Sequence, residues 1–252
     1  MFAALTPENI VLLIIGSAGI GISKCGFSGV SMLHVIVFAF VFGTKASTGI
    51  ILPMLIIGDC LAIYFFGKTA QWGQIRKLLP PALIGVVIGS WLMKQLDESA
   101  FKPLVGCIIL TLTAIQVYRI RQPNAFENIP HNKLFAWTLG LLAGITTMMA
   151  NAAGPVVALY LLAVALPKMQ FVGTGAWFFL VVNVFKLPFS FYMLDLIGWE
   201  SLSIDLLFSP VILLGMLVGR WLVKRIPQKQ FDIVLLALTA IAAVRLVVDP
   251  IL

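Results

Sequence analysis

Residues 21–31 read GISKCGFSGVS, and they lie within an apolar block that runs from about residue 10 to residue 66. A second stretch, TTMMANAAGPVV at 146–157, occupies the matching place in another long apolar block, at 134–194. Both stretches are rich in small residues, and Pro155 cannot continue the hydrogen-bond ladder of a helix. The two stretches therefore predict breaks in long apolar segments.

The composition indicates which solvent surrounds these segments. Of the 252 residues, 61% are hydrophobic and 11% are charged, whereas soluble domains contain about 25% charged residues. A chain this short cannot bury so much apolar surface in water, so lipid must surround most of it. Further apolar blocks, each about one helical crossing long, lie at 78–93, 103–118, 206–223 and 231–248. The sequence predicts an all-α, polytopic transmembrane helical bundle.

The charged and reactive residues exclude several function classes. The net charge of +7 comes from Lys and Arg residues that lie mostly between apolar blocks, as in membrane proteins, so no nucleic-acid partner is expected. Cys25, Cys60 and Cys107 lie in apolar stretches without a CxxC motif, which argues against a disulfide framework. His34 and His131 lack metal-ligand spacing, and no nucleophile elbow or P-loop occurs. We expect no metal, no cofactor, no catalytic residue and no enzyme activity.

The two halves of the chain contain segments that match in the same order. The matches are AGI at 18–20 and 143–145, GVVIGSWLMK at 85–94 with GMLVGRWLVK at 215–224, and TAIQVYR at 113–119 with TAIAAVR at 239–245. They indicate a duplication of a unit of roughly 125 residues. We predict a first transmembrane repeat at 1–122, a cytoplasmic linker at 123–133 and a second transmembrane repeat at 134–252.

The distribution of Lys and Arg predicts that the second repeat is inverted. Segments 67–77, 119–133 and 224–230 each contain three basic residues and are expected in the cytoplasm, whereas segment 195–205 contains none and is expected outside. Each long apolar block then crosses an odd number of times. Three short crossings satisfy this parity, and so does one full helix with a re-entrant hairpin. Inverted repeats with broken helices are a recurring transporter design, with the substrate site near mid-membrane.

Ionisable residues inside apolar segments are costly, so each is a candidate functional residue. Half-helix N-termini at the breaks favour a negative ligand, and nearby lysines would add point charges. The predicted anion site comprises small or polar residues at the two breaks and a lysine further along the chain: Ser23, Lys24, Cys25, Gly26, Thr147, Asn151 and Lys186.

Some of these residues have alternative interpretations. Lys186 could form an ion pair with Asp59 that only holds the bundle together, and Asp59 could instead carry the proton of a proton-coupled carrier. Cys25 fits a small core residue at least as well as a ligand. Lys45 and Lys168, in a second pair of predicted breaks at 42–49 and 166–175, could simply extend to the membrane interface.

Three stretches resemble the sulfite exporter TauE/SafE family. They are GISKCGFSGV at 21–30, FGTKAS at 42–47 and LAGITTMMANAAGPVVALYLL at 142–162. The resemblance covers essentially the whole chain, including its length and duplicated halves. It implies transport of sulfur-containing anions, such as sulfite or organosulfonates like sulfoacetate, across a bacterial plasma membrane.

The sequence therefore favours a secondary transporter that works by alternating access between inverted halves, with the lipid bilayer, a small anion and protons as its expected partners. Two alternatives stay open. A small-anion channel would conduct without coupling to a gradient. A membrane-embedded subunit of an enzyme complex would need catalytic groups from other subunits.

Overall fold

A computed structural model describes residues 6–27, 30–122 and 133–225, together with single positions at 237, 240, 241, 244 and 248. Almost all of the predicted linker at 123–133 lies outside these residues. The same holds for most of the basic segment at 224–230 and for the repeat match at 239–245. The described chain is helical and contains no strand, which confirms the predicted all-α class.

The described helices follow one another with short connections. They are α1 (Pro7–Ser23), α2 (Val30–Phe42), α3 (Thr44–Phe66), α4 (Trp72–Gln95), α5 (Glu98–Arg121), α6 (Lys133–Ala150), α7 (Gly154–Ala163), α8 (Lys168–Pro188) and α9 (Trp199–Arg225). A 3₁₀ turn (Gly67–Thr69) follows α3, and one π-helical turn (Phe189–Met193) follows α8.

Two helix starts show how local sequence sets the boundaries. Thr6 caps α1, because its side-chain oxygen accepts from the Asn9 backbone N–H at 3.3 Å, and Pro7 follows in the first turn. Asp97 caps α5 by accepting from the Ala100 N–H at 2.9 Å. That hydrogen bond to the backbone lowers the pKa of the exposed Asp97 carboxyl.

Six of the described helical segments are long and apolar enough to cross a membrane. They are Thr44–Thr69, Trp72–Gln95, Glu98–Tyr118, Lys133–Ala150, Lys168–Met193 and Trp199–Leu222. The chain is therefore a multi-pass membrane protein, as its composition predicts. The apolar helices α1, α2 and α7 are shorter.

The two shortest described helices, α2 and α7, are too short to span a membrane, and α2 pairs with α1 as a hairpin. α2 has 13 residues and α7 has 10, so they reach about 20 Å and 15 Å, less than the ~30 Å of a hydrocarbon core. A Cβ on Gly16 would meet Phe38, and one on Gly19 would lie 3.5 Å from Val30. These pairings run in opposite directions along the chain, so α1 and α2 are antiparallel. Their lengths favour a re-entrant hairpin over three full crossings in the first apolar block.

The two halves have the same order of elements. Helices of similar length follow each other in α1–α4 and in α6–α9. The breaks also match, because Gly26 (φ 99°) and Asn151 (φ 49°), which correspond in the repeat alignment, both adopt left-handed backbone conformations.

The contacts between the halves involve corresponding helices in a reciprocal way, since α1 corresponds to α6 and α4 corresponds to α9. α1 lies against α9, α4 lies against α6, and α3 lies against α8. Small residues bring the backbones together: a side chain on Gly215 would overlap the Ala18 carbonyl, and one on Gly144 would overlap the Ala82 carbonyl. Gly85 packs against Gly144 in the same way. The GVVIG and GMLVG stretches thus serve helix contact, as their small-xxx-small pattern predicts.

Candidate functional site

The first break turns the chain between α1 and α2. α1 ends at Ser23, whose hydroxyl donates to the Ile20 carbonyl at 2.7 Å. Gly26 then takes φ 99°, a conformation that a side chain would strain. The turn leaves Lys24 at the end of the helix with its ammonium directed toward α3 and α8.

Lys24 forms an ion pair with Asp59 deep in the bundle. Its Nζ lies 2.6 Å from Asp59 Oδ1, and the Asn183 side-chain amide donates to Asp59 Oδ2 at 2.7 Å. Asp59 is fully buried, whereas the Lys24 side chain keeps 10% of its surface exposed. The Lys24 ammonium also lies 5.2 Å from the centre of the Phe179 ring. The ammonium is thus held by protein groups, while a tenth of the Lys24 side-chain surface stays accessible.

The second break turns the chain between α6 and α7. α6 ends at Ala150, Asn151 adopts φ 49°, and α7 begins at Gly154 with Pro155 in its first turn. Asn tolerates the left-handed region better than most residues. The Asn151 amide donates to the Thr48 carbonyl at 3.0 Å, which ties this break to the start of α3.

Lys186 is hydrogen-bonded to residues of the second break and lies outside the lining of the cavity between the two breaks. It is 1% exposed, and its Nζ donates to the Thr147 carbonyl at 2.8 Å and to Asn151 Oδ1 at 2.5 Å. The carbonyls at the end of α6 carry the negative end of that helix, so a lysine there is well placed. The bonded partner of Asp59 is Lys24 rather than Lys186, which corrects the ion pair considered from the sequence.

A cavity of about 650 Å³, its open mouth included, lies between the two breaks. Its polar wall contains Ser23, Lys24, Gly26, Thr147, Asn151 and Asn183. Its apolar wall contains Leu55, Val157, Leu161, Phe171 and Phe179. Five of the seven residues predicted for the anion site therefore line one cavity.

The other two predicted residues lie outside the cavity lining. Cys25 is 2% exposed, and its thiol points to the Met216 carbonyl of α9 at 3.4 Å. It packs helices together, as a small core residue would. Lys186 acts through Asn151 and Thr147 and does not line the cavity.

Both short helices begin at this cavity. Gly154, the first residue of α7, and Ser31, the second residue of α2, line it. They are neighbours, because a Cβ on Gly154 would lie 2.8 Å from the Ser31 hydroxyl oxygen. Two helix N-termini therefore converge near the Lys24 ammonium, and helix N-termini attract negative charge.

Three polar side chains in the lining were not predicted, namely Ser31, His34 and Asn183. His34 is 1% exposed and lies one turn after Ser31 on α2, so both occupy one helix face. Asn183 lies one turn before Lys186 on α8 in the same way. A spacing of three residues, from Ser31 at the first break and from Lys186 on α8, was a signal that could have identified His34 and Asn183.

Lys45 and Lys168, the two lysines of the second pair of predicted breaks, lie in different surroundings. Lys45 Nζ donates to the Leu96 carbonyl at 2.8 Å, so this lysine secures the end of α4. Lys168 is exposed at the first residue of α8. In the parts of the chain that the structure describes, no group of three or more His, Cys, Asp or Glu side chains could hold a metal ion. His131 lies outside those parts.

Comparison with known proteins gives one result. The family model for Sulfite exporter TauE/SafE matches residues 12–246, which is nearly the whole chain. No curated protein and no solved structure matches the chain. The chain belongs to the sulfite exporter TauE/SafE family.

Proposed function

We propose that the protein is a secondary transporter of small sulfur-containing anions, sulfite or organosulfonates such as sulfoacetate, in a bacterial plasma membrane. One observation carries the proposal: two short helices begin at a cavity that Lys24 also lines. Family membership supports membrane transport of sulfur anions as the general activity. The proposed substrate-binding residues at the cavity wall are Ser23, Lys24, Gly26, Thr147 and Asn151.

Lys24 would gain a second partner when the anion binds. The ammonium is bonded to Asp59 in this structure, and its accessible surface faces the cavity. An anion entering there would share the ammonium with Asp59, which keeps its hydrogen bond from Asn183. Each helix N-terminus adds about 0.3–1 kcal/mol to anion binding, and up to ~2 kcal/mol where it is partly buried.

Alternating access follows if the two halves are inverted copies. The matching left-handed residues at the breaks and the reciprocal helix contacts support a two-fold relation between the halves. The substrate would then lie at the interface of the repeats, as in other transporters built from inverted repeats. Rocking of one half against the other would open the cavity to each side in turn.

Two cysteine substitutions test the inverted topology. Gly73 and Gly198 are exposed, and a Cβ at either one would meet nothing within 4 Å, so Gly73→Cys and Gly198→Cys fit without strain. In a background with Cys60→Ala and Cys107→Ala, a membrane-impermeant maleimide is expected to label Gly198→Cys in intact cells. It should label Gly73→Cys only in inside-out vesicles, because the basic segment around it favours the cytoplasm.

Labelling after detergent solubilisation is the control, since both cysteines should then react equally. Labelling of both positions from the same side would contradict inversion, because parallel copies place these matching segments on one face. It would leave anion transport itself untouched.

Flux into proteoliposomes tests the function. We expect saturable uptake of ³⁵S-sulfite or ³⁵S-sulfoacetate that speeds up when the unlabelled anion is present on the opposite side. Empty liposomes are the control. Conductance without this acceleration would indicate a channel, and no movement of either anion would contradict the proposed function.

A further inference from the structure

Asp205 is a buried carboxylate with no hydrogen-bond partner among the described residues. It is the seventh residue of α9, about two turns into a predicted membrane crossing, and it is 2% exposed. Neither side-chain oxygen has a hydrogen-bond partner among the residues that the structure describes. Its neighbours in sequence on the same face, Ile204 and Phe208, pack into an apolar cluster with α1, α2 and α3.

Within the described parts of the chain, no charged group is bonded to Asp205. The titratable residues of the elements packed around it, and of α9 itself where side chains are described, are Glu8 and Lys24 on α1, His34 on α2, Lys45, Asp59, Cys60 and Tyr64 on α3, and Glu200 and Arg220 on α9. None of these groups forms an ion pair or a hydrogen bond with Asp205 in the described chain. Lys24 and Lys45 already have other partners.

A lone carboxylate in such a place is stable only in its neutral form or beside a cation. Transferring an unpaired charge into an apolar interior is costly enough that the group takes up a proton instead. Carboxyl groups of this kind inside membrane segments mark proton pathways in carriers. Asp59 does not meet this description, because Lys24 and Asn183 hold both of its oxygens.

The helix that carries Asp205 contacts the helix that carries Lys24. Gly21, three residues before Lys24, lies against the backbone of Met216, and Gly215 lies against Ala18. A rearrangement of the end of α1 when an anion binds Lys24 must therefore shift α9 or strain this contact. That shift provides a physical route from the anion cavity to the surroundings of Asp205.

We propose that Asp205 is the proton-binding group that couples anion movement to a proton gradient. The inference rests on the proposed transport function. A proton binds one Oδ atom of Asp205 when movement of α9 against α1 opens Asp205 to one side of the membrane. The proton leaves when the movement opens Asp205 to the other side. No other bond forms or breaks. Asp59 stays the counter-ion of Lys24.

The test uses the full chain in proteoliposomes, with the membrane potential clamped to zero and ³⁵S-sulfoacetate as probe, or ³⁵S-sulfite if only sulfite moves. For one proton per anion, a gradient of one pH unit should drive about tenfold accumulation in the wild type. Asp205→Asn should lose this accumulation while keeping exchange of labelled for unlabelled anion within about twofold of the wild type. Substitution of a residue with a purely structural role would lower the rate of gradient-driven accumulation and the rate of exchange together.

Asp195→Asn is the matched control, because Asp195 is exposed and its φ of 51° also suits Asn. It should accumulate and exchange like the wild type. Gradient-driven accumulation by Asp205→Asn, equal loss of both rates, or a wild type that ignores the pH gradient would each overturn the proposal. If neither anion moves in the wild type, the proposed function has failed, and the role of Asp205 falls with it.

Discussion

Lys24→Met is expected to lower both the stability and the anion affinity of the protein. The substitution leaves Asp59, which is fully buried, with Asn183 as its remaining bonded partner. Removing one member of a buried ion pair costs about 3–5 kcal/mol, because the other charge stays buried without compensation. The melting temperature of purified protein in detergent should therefore fall, and sulfite and sulfoacetate should bind at least about tenfold more weakly.

The double variant Lys24→Met, Asp59→Asn separates the two effects. Neutralising both groups removes the uncompensated charge, and the amide at position 59 can still accept from Asn183, so the melting temperature should return toward that of the wild type. Anion binding should stay weak because the ammonium is absent. Lys68→Met, at an exposed lysine, is the control and should change neither property. A double variant that binds anions normally would contradict the proposed role of Lys24.

Lys186→Met is expected to disorganise the second break. The change removes the donor to the Thr147 carbonyl and to Asn151 Oδ1, and it leaves those acceptors buried. Hydrogen bonds to a charged group contribute about 1.5–3 kcal/mol each, so we expect a loss of about 3 kcal/mol in stability. Flux should also fall, because Asn151 lies in the cavity wall and loses the bond that orients it.

Lys168→Met provides the comparison for this prediction. It removes a lysine from the same helix at an exposed position, and it should melt and transport like the wild type. If Lys186→Met also behaved like the wild type in both assays, Lys186 would have no positioning role, and the described contacts would not explain the geometry of the break.

The breaks could be predicted from local sequence because their causes are local. Gly26 permits a left-handed backbone conformation, and Pro155 lacks the N–H that would continue a helix. Thr6 caps α1 within one turn. The second pair of breaks was also expected near its observed places, at Gly43 and at the residues between α7 and α8. Whether a short apolar helix crosses or folds back depends on its neighbours, so only the structure favoured the hairpin.

The partners inside the site could not be predicted in the same way. The AGI match at 18–20 and 143–145 sets an offset of 125 residues, which aligns Asp59 with position 184, next to Asn183. The side chains of Asp59 and Asn183 are hydrogen-bonded. Which lysine meets Asp59 depends on how far the α1 hairpin extends along α3, a tertiary distance that a single sequence does not contain. Lys24 and Lys186 were both candidates for the anion site. Only the packing of the helices shows that Lys24 lines the cavity and that Lys186 does not.

Asp205 was overlooked because a polar segment conceals a helix boundary. The residues at 195–205 read as an external loop, and an acidic residue in a loop needs no explanation. α9 begins at Trp199, so Asp205 lies about two turns inside the helix on its buried face. Helix ends are the least certain part of a sequence-based prediction, and here that uncertainty decided whether a carboxylate was exposed or buried.

Thermal melting of the purified wild type against a panel of anions tests the central claim most directly. A ligand at 100 times its Kd stabilises the folded state by about 2.7 kcal/mol. We predict a saturable rise in melting temperature with sulfite, sulfoacetate or both, and no comparable rise with acetate or chloride at equal ionic strength. No rise with any sulfur anion, or an equal rise with acetate, would contradict a sulfur-anion site at the cavity.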